Sequence, residues 1–294
     1  MELKNLQGNT WIIRDTTNIG VYVKDNNAVL IDTGKGNETA RAILELVSAK
    51  GWNVKWIINT HFHGDHTGGN AYIQKETNCC IAASYIDSPF IVQPWLEPRR
   101  VWSAAAPKRL RTWFFEAAPS NVTKVLNGGD KLEDFGLEAA DLSGHSHEQI
   151  GISTPDGVFF IADALTAKSV IDKYKILFLA DFTAAMKTLK RLEKAQANIF
   201  VPSHGEPCTD IKAIVRANIR CLEQLHTDVR EACAEPKSRD ELVSALVKKY
   251  SRTLNMQQYV LIHCAVSSAL TPLIDDGTVR RVYTDGTLKF IASK

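Results

Sequence analysis

Apolar residues in the first two hundred positions fall into short runs that stop abruptly at polar or glycine positions. TWIIRD, NIGVYV and AVLIDTG open the chain, VKWIINT follows, and CCIAA, VTKVL, LEAADLS, VFFIAD and NIFVPS continue the pattern. Their length and β-branched content predict strands. Between the third and fourth runs, Asn37–Lys50 (NETARAILELVSAK) spaces its apolar residues at a helical period and meets Gly51, a stop signal. Strands alternating with helices predict a layered α/β domain.

From about Thr209 the texture changes. Ile211–Cys233 reads as one long amphipathic helix, interrupted by Glu235-Pro236-Lys237-Ser238; Arg239–Tyr250 and Met256–Asp275 read as two more. TVRRVYTDGTLKFIAS closes the chain as two strand-like runs around Asp285-Gly286, a strong hairpin-turn signal. Three helices and a terminal hairpin resemble a winged-helix module. The expected division is therefore 1–208, an α/β domain, and 209–294, a small winged-helix-like α+β domain. Residues 88–116 (SPFIVQPWLEPRRVWSAAAPKRLRTWFFE) insert between two strand runs as an expected helical cap.

Composition narrows the function classes. With 294 residues, 45% of them hydrophobic, the chain can bury a full core. A net charge of +2 gives no global field for nucleic acid or an anionic membrane. The richest apolar stretch, Tyr259–Leu270, falls short of the ~20 residues of a membrane span. MELKNLQGNTWIIRD lacks the basic flank and apolar core of a signal peptide, so a cytoplasmic location is expected. Cys79, Cys80, Cys208, Cys221, Cys233 and Cys264 form no CxxC pair and read as free thiols of a reducing compartment.

One placement recurs. Asp32 follows AVLI, His61 follows WIINT, His145 follows LEAADLSG, Asp163 follows VFFIA, and His204 follows IFVPS. Each stands just past the C-terminal end of an apolar strand, the edge of an α/β sheet where sites assemble. The segment Thr60–Asn70, THFHGDHTGGN, adds His63, Asp65 and His66, concentrating three of the eight histidines of the chain. Imidazoles and carboxylates without cysteine suit borderline divalent ions, zinc first, with iron or manganese as alternatives. There are ligands enough for two ions.

HFHGDH at 61–66 resembles the HxHxDH signature of the metallo-β-lactamase superfamily, and IDTG, GHS, the Asp of FIAD and SHG resemble its other motifs in the same chain order. The likeness runs over residues 10–207. It implies an αββα sandwich with two metal ions per chain. One ion would take His61, His63 and His145; the other would take Asp65, His66 and His204, with Asp163 bridging. Asp32 would fix the orientation of a ligand, and Asp65 would also orient the nucleophile or shuttle a proton. The implied reaction is hydrolysis of a small-molecule ester, thioester or lactone, and the GGN after His66 resembles hydroxyacylglutathione hydrolases. Histidine at position 63, where flavo-diiron relatives carry glutamate, disfavours a redox di-iron centre.

Other positions keep two readings. His147, in GHSHEQIG, departs from the family pattern and is either solvent-facing or a substrate contact or proton relay. His226 and His263 sit in expected helices and read as packing or surface residues. Trp95, Arg99, Arg100, Trp102 and Trp113 either pack a cap onto the core or line a lid for an apolar, anionic substrate. A winged-helix tail also occurs in an endoribonuclease branch of the superfamily, which makes a zinc-dependent nuclease the alternative function. Residues 210–294 carry 13 Lys/Arg against 10 Asp/Glu, a balance too even for a strong phosphate-binding face. A small-molecule substrate is the expected partner, with a homodimer open and no membrane.

Overall fold

The computed structural model describes residues 1–293 of the chain. Seven strands form the first sheet in chain order: β1 (Glu2–Gln7), β2 (Thr10–Arg14), β3 (Ile19–Lys24), β4 (Asn27–Ile31), β5 (Asn53–Ile58), β6 (Cys80–Ala83) and β7 (Lys124–Val125). Pairing is antiparallel from β1 to β4 and parallel from β4 to β7. A second sheet contains β8 (Lys131–Leu132), β9 (Leu137–Asp141), β10 (Ile150–Ser153), β11 (Val158–Ala162) and β12 (Ile199–Pro202), with β11 and β12 parallel.

Why the strand runs are continuously apolar follows from the layers. Side chains alternate across a strand, so adjacent residues enter different cores. Ile12, Tyr22, Val29, Ile31 and Ile58 meet Ile150, Ile152, Phe160 and Val201 between the two sheets. Their neighbours Ile13, Val21, Leu30 and Ile57 face outward and pack on Ile43, Val47 and Ile73. Those last residues belong to α1 (Asn37–Ser48) and α3 (Asn70–Thr77). Phe159, Ile161 and Phe200 turn the other way, into a cluster with Leu189, Val215, Leu222 and Val266. Helices thus cover both outer faces of two stacked sheets, an αββα sandwich.

The helical tail has the anticipated elements. They are α8 (Lys212–Ala232), α9 (Arg239–Lys249) and α10 (Met256–Asp275), then β13 (Val279–Thr284) paired to β14 (Thr287–Ala292). Both α9 and α10 begin with reciprocal capping boxes, Ser238 with Glu241 and Asn255 with Gln258. Asp285 and Gly286, at φ of 50° and 71°, make the two-residue turn of the hairpin. Leu246, Val266, Leu270 and Phe290 share one buried cluster with Phe159 and Ile161 of the second sheet, so the tail helps build the outer helical layer. Among the described residues, no helix is long and apolar enough to cross a membrane.

The 88–116 segment contains α4 (Ser88–Val92), α5 (Leu96–Trp102) and a short 3-10 turn at Lys108–Leu110. Val101, Leu110 and Phe115 bury against Val260 of α10, and Gln257 Nε2 donates to Thr112 Oγ1 at 3.0 Å. The tail therefore props the cap from behind.

Candidate metal centre

The loop after β5 turns into the short helix α2 (Gly64–Thr67), which carries Asp65 and His66. That helix fits only because glycine leaves room. A Cβ at Gly64 would lie 2.0 Å from the Trp113 carbonyl oxygen, and one at Gly69 would lie 2.5 Å from that of Thr33. Gly64→Ala is expected to destabilise the fold by about 1–3 kcal/mol, the usual cost of overpacking. Thermal unfolding measures it, and an unchanged midpoint would mean that the Trp113–Phe114 backbone yields freely.

Seven side chains converge at the C-terminal strand edge. His61 Nε2 stands 2.9 Å from His63 Nδ1, which stands 3.1 Å from His145 Nε2. Alongside, Asp65 Oδ2 lies 3.6 Å from His66 Nε2 and 3.3 Å from His204 Nε2. Asp163 reaches both groups: Oδ2 is 3.4 Å from His145 Nε2 and 3.6 Å from His204 Nε2, and Oδ1 is 3.7 Å from His66 Nε2. Tetrahedral ligands at about 2.1 Å from an ion stand about 3.4 Å apart, so these spacings fit divalent ions. His66 Nε2 and Asp163 Oδ1 are buried with no hydrogen-bond partner, as atoms reserved for a cation would be.

Hydrogen bonds behind the ligands assign the tautomers. The Asp32 carboxylate accepts from His66 Nδ1 at 2.8 Å, from Thr60 Oγ1 at 2.7 Å and from the Thr60 backbone N–H at 2.8 Å. Thr60 Oγ1, its proton spent on Asp32, accepts from His61 Nδ1 at 3.1 Å. His204 Nδ1 donates to the Thr16 carbonyl at 2.8 Å. Each of these rings thus spends Nδ1 outward and turns Nε2 inward, the nitrogen that could take an ion once it carries no proton. Asp32 serves one histidine in each ligand group. Its backbone and that of Ala162 adopt left-handed φ of 63° and 49°, a cost that non-glycine residues bear where a site constrains them.

Electrostatics divides the two groups. Burial, reinforced by neighbouring imidazoles, holds His61 and His63 well below the usual imidazole range, and burial also lowers His145. At the other position burial is outweighed by carboxylates. Asp65, Asp32 and Asp163 lift His66 well above its ordinary value, and Asp163 and Asp65 raise His204 to about 10. Burial pushes Asp65 and Asp163 upward, but His66 and then His204 pull both well below the usual carboxylate range. Without metal at pH 7, His66 and His204 therefore hold protons while His61, His63 and His145 do not. Metal binding at the Asp65–His66–His204 position should release up to two protons, and its affinity should fall about tenfold per displaced proton for each unit of pH decrease. The histidine-only position should release none. Calorimetry in buffers of different ionisation enthalpy measures this; two binding steps with no proton release would contradict it.

The family model of the metallo-beta-lactamase superfamily matches residues 12–204. The chain belongs to that superfamily. It is 30% identical over 140 residues to a hydroxyacylglutathione hydrolase from Erythrobacter litoralis, a match covering 47% of this chain and 43% of that protein. The alignment thus spans less than half of that relative. Over 287 residues it is 22% identical to the atrochrysone carboxyl ACP thioesterase nsrC of Aspergillus novofumigatus, covering 93% of this chain and 76% of that one. These named relatives are hydrolases. A beta-lactamase domain protein from Burkholderia ambifaria shares the fold with a TM-score of 0.76 at 19% identity, covering 99% and 94% of the two chains.

The remaining expected contacts are not brought to this superfamily centre. Arg100 is paired through two 2.7 Å hydrogen bonds to Glu97, a buried residue of the same helix of the cap. Arg99 stacks over Trp95 at 4.2 Å, and the two line a surface depression with Pro98 and Arg111. Trp102 faces solvent, as does the Trp113 ring, although the Trp113 backbone lies on Gly64. His147 is exposed and lines a depression with Asp181 and Lys187, outside the ligand groups. His226 stacks on Phe182 at 5.0 Å, and His263 lies beside Tyr259. All six cysteines are free.

Two aromatic residues do reach the centre, Phe178, which the sequence reading passed over, and Phe114 of the 88–116 segment. Phe178 lies 5.4 Å from both His63 and His145, ring to ring, and Phe114 stacks 6.5 Å from His63. Phe178 comes from the loop between α6 (Lys168–Tyr174) and α7 (Phe182–Leu192), whose plain apolar run ILFLA signals burial and nothing more.

Proposed function

We propose that this protein is a two-metal hydrolase, zinc-dependent, that cleaves a small acyl thioester or ester. The observation that carries it is Asp163, whose carboxylate lies within reach of both ligand groups. His61, His63 and His145 would hold one ion, Asp65, His66 and His204 the other, and Asp163 both. Divalent ions so bound supply a water-derived nucleophile near neutral pH and a Lewis acid for the carbonyl oxygen.

The residues of the chain divide the rest of the work. Asp65, kept ionised, accepts from Thr17 Oγ1 at 3.3 Å and is the carboxylate placed to take a proton from an attacking water or return it to the leaving group. Phe178 and Phe114 wall the His63–His145 side with apolar surface, while His204 opens to solvent on the other. An acyl group fits the walled side and a polar leaving group fits the open side. The hydroxyacylglutathione hydrolase and ACP thioesterase relatives support thioesters first.

Residues 209–294 serve, in this reading, to shape the pocket. Val260 of α10 buttresses the cap at Val101, Leu110 and Phe115, and the even charge of the tail gives phosphate backbones little to grip. A panel of acyl thioesters, aryl esters, lactones, phosphodiesters and RNA tests the assignment. Turnover of a short acyl thioester is expected, with Phe178→Ala raising KM for longer apolar acyl groups by about tenfold, the loss of one buried aromatic contact. RNA cleavage without thioester turnover would replace this function with the nuclease alternative.

A further inference from the structure

Of the five histidines at the centre, His61, His66 and His204 each have a hydrogen-bond partner on the ring nitrogen that faces away from it. Like that of His63, the His145 ring has none among the described residues; its contacts are His61, His63, Asp163 and the ring of Phe178. Its direction must therefore come from the turn that carries it. Two clamps hold that turn. On one side the Gly144 carbonyl accepts from the backbone N–H groups of Ala180 and Asp181 at 2.8 and 3.0 Å. On the other, Ser146 returns its carbonyl to Gly144 N–H at 2.9 Å and donates its hydroxyl to Asp87 Oδ2 at 2.6 Å.

Asp87 is an expensive residue to place there. It is fully buried at the root of the 88–116 cap, and its Oδ1 has no partner. Burial raises its carboxyl to about 7, with the Ser146 hydroxyl and the Glu148 backbone pulling against that rise and the Glu148 and Glu97 carboxylates adding to it. A buried carboxyl kept on a single side-chain hydrogen bond costs more than the bond returns unless something else depends on it. The next residues repeat the link, since Ile86 N–H donates to Glu148 Oε2 at 2.6 Å.

We propose that Asp87 is a positioning residue for His145, acting through Ser146, and that it ties the root of the cap to the metal centre. This rests on the two-ion reading above. A polar partner one residue removed from a ligand then does for His145 what Asp32 does for His66. The cap cannot shift at residue 87 without turning the His145 ring.

Cobalt(II) titration of the metal-free protein tests it, followed by visible absorption and compared across wild type, Ser146→Ala, Asp87→Ala and Asp87→Asn, with thermal unfolding recorded for each. Ser146→Ala and Asp87→Ala should weaken one of two cobalt-binding steps by about 10–100-fold, the usual loss for a partner behind a ligand, and leave the other step unchanged. Asp87→Asn should bind as wild type does, because its amide oxygen still accepts the Ser146 proton. If Asp87→Ala does not fold, Ser146→Ala decides alone. Unchanged cobalt binding with only a lowered melting temperature would overturn the proposal, as would equal loss at both steps. Wild type without saturable cobalt binding would overturn the two-ion reading itself, and this role with it.

Discussion

Asp163→Ala is expected to weaken both bound ions and to cut turnover by about 10³-fold or more. The carboxylate touches both ligand groups, at 3.4 Å from His145, 3.6 Å from His204 and 3.7 Å from His66. Losing it removes one ligand from each position and leaves His66 and His204 facing one fewer negative charge. A catalytic ion supplies several kcal/mol of transition-state stabilisation, and each 1.36 kcal/mol is about a factor of ten in rate. Equilibrium dialysis against zinc, with kcat on the best thioester, measures both effects. A variant that keeps one ion at wild-type affinity and works at the wild-type rate would show that Asp163 is not shared.

Asp32→Ala should act on both positions without touching either ion. The carboxylate orients His66 directly and His61 through the Thr60 hydroxyl. Partners of this kind cost about 10–100-fold in metal affinity when removed. Thr60→Val separates the two routes: it breaks the link to His61 while His66 keeps its bond to Asp32. Affinity should then fall at the His61–His63–His145 position alone. Loss at both positions in Thr60→Val would mean that the loop, and not the hydrogen bond, is what orients these rings.

Much of this arrangement is legible in the order of residues because strand ends are local signals. An apolar run followed by Asp or His places a donor at the sheet edge whatever the rest of the chain does, and Asp32, His61, His145, Asp163 and His204 all carry that mark. The tail helices were legible for a similar reason, since their apolar period and their capping residues at Ser238 and Asn255 lie within a few positions of one another. What could not be read depends on partners distant in sequence. β1 (ELKNLQ) is mostly polar and holds its place at the sheet edge through pairing to β2. Phe178 becomes a wall of the site only because its loop folds across His63 and His145. Asp87 and Ser146 are 59 positions apart, and nothing in either neighbourhood announces the bond between them. The aromatic and basic residues of the cap kept two readings open, because packing and substrate contact leave the same composition. In the structure Arg100 pairs with Glu97 and Arg99 stacks on Trp95, while Phe114 of the same segment lies against His63.

In this reading seven side chains from four strand ends hold two ions in one centre. Elemental analysis of the zinc-saturated full chain after removal of unbound metal tests it most directly, alongside thioester turnover as zinc is titrated into stripped protein. Two zinc ions per chain, and turnover that rises with their uptake, are expected. A single ion per chain at saturation, or full turnover in the stripped protein, would contradict it.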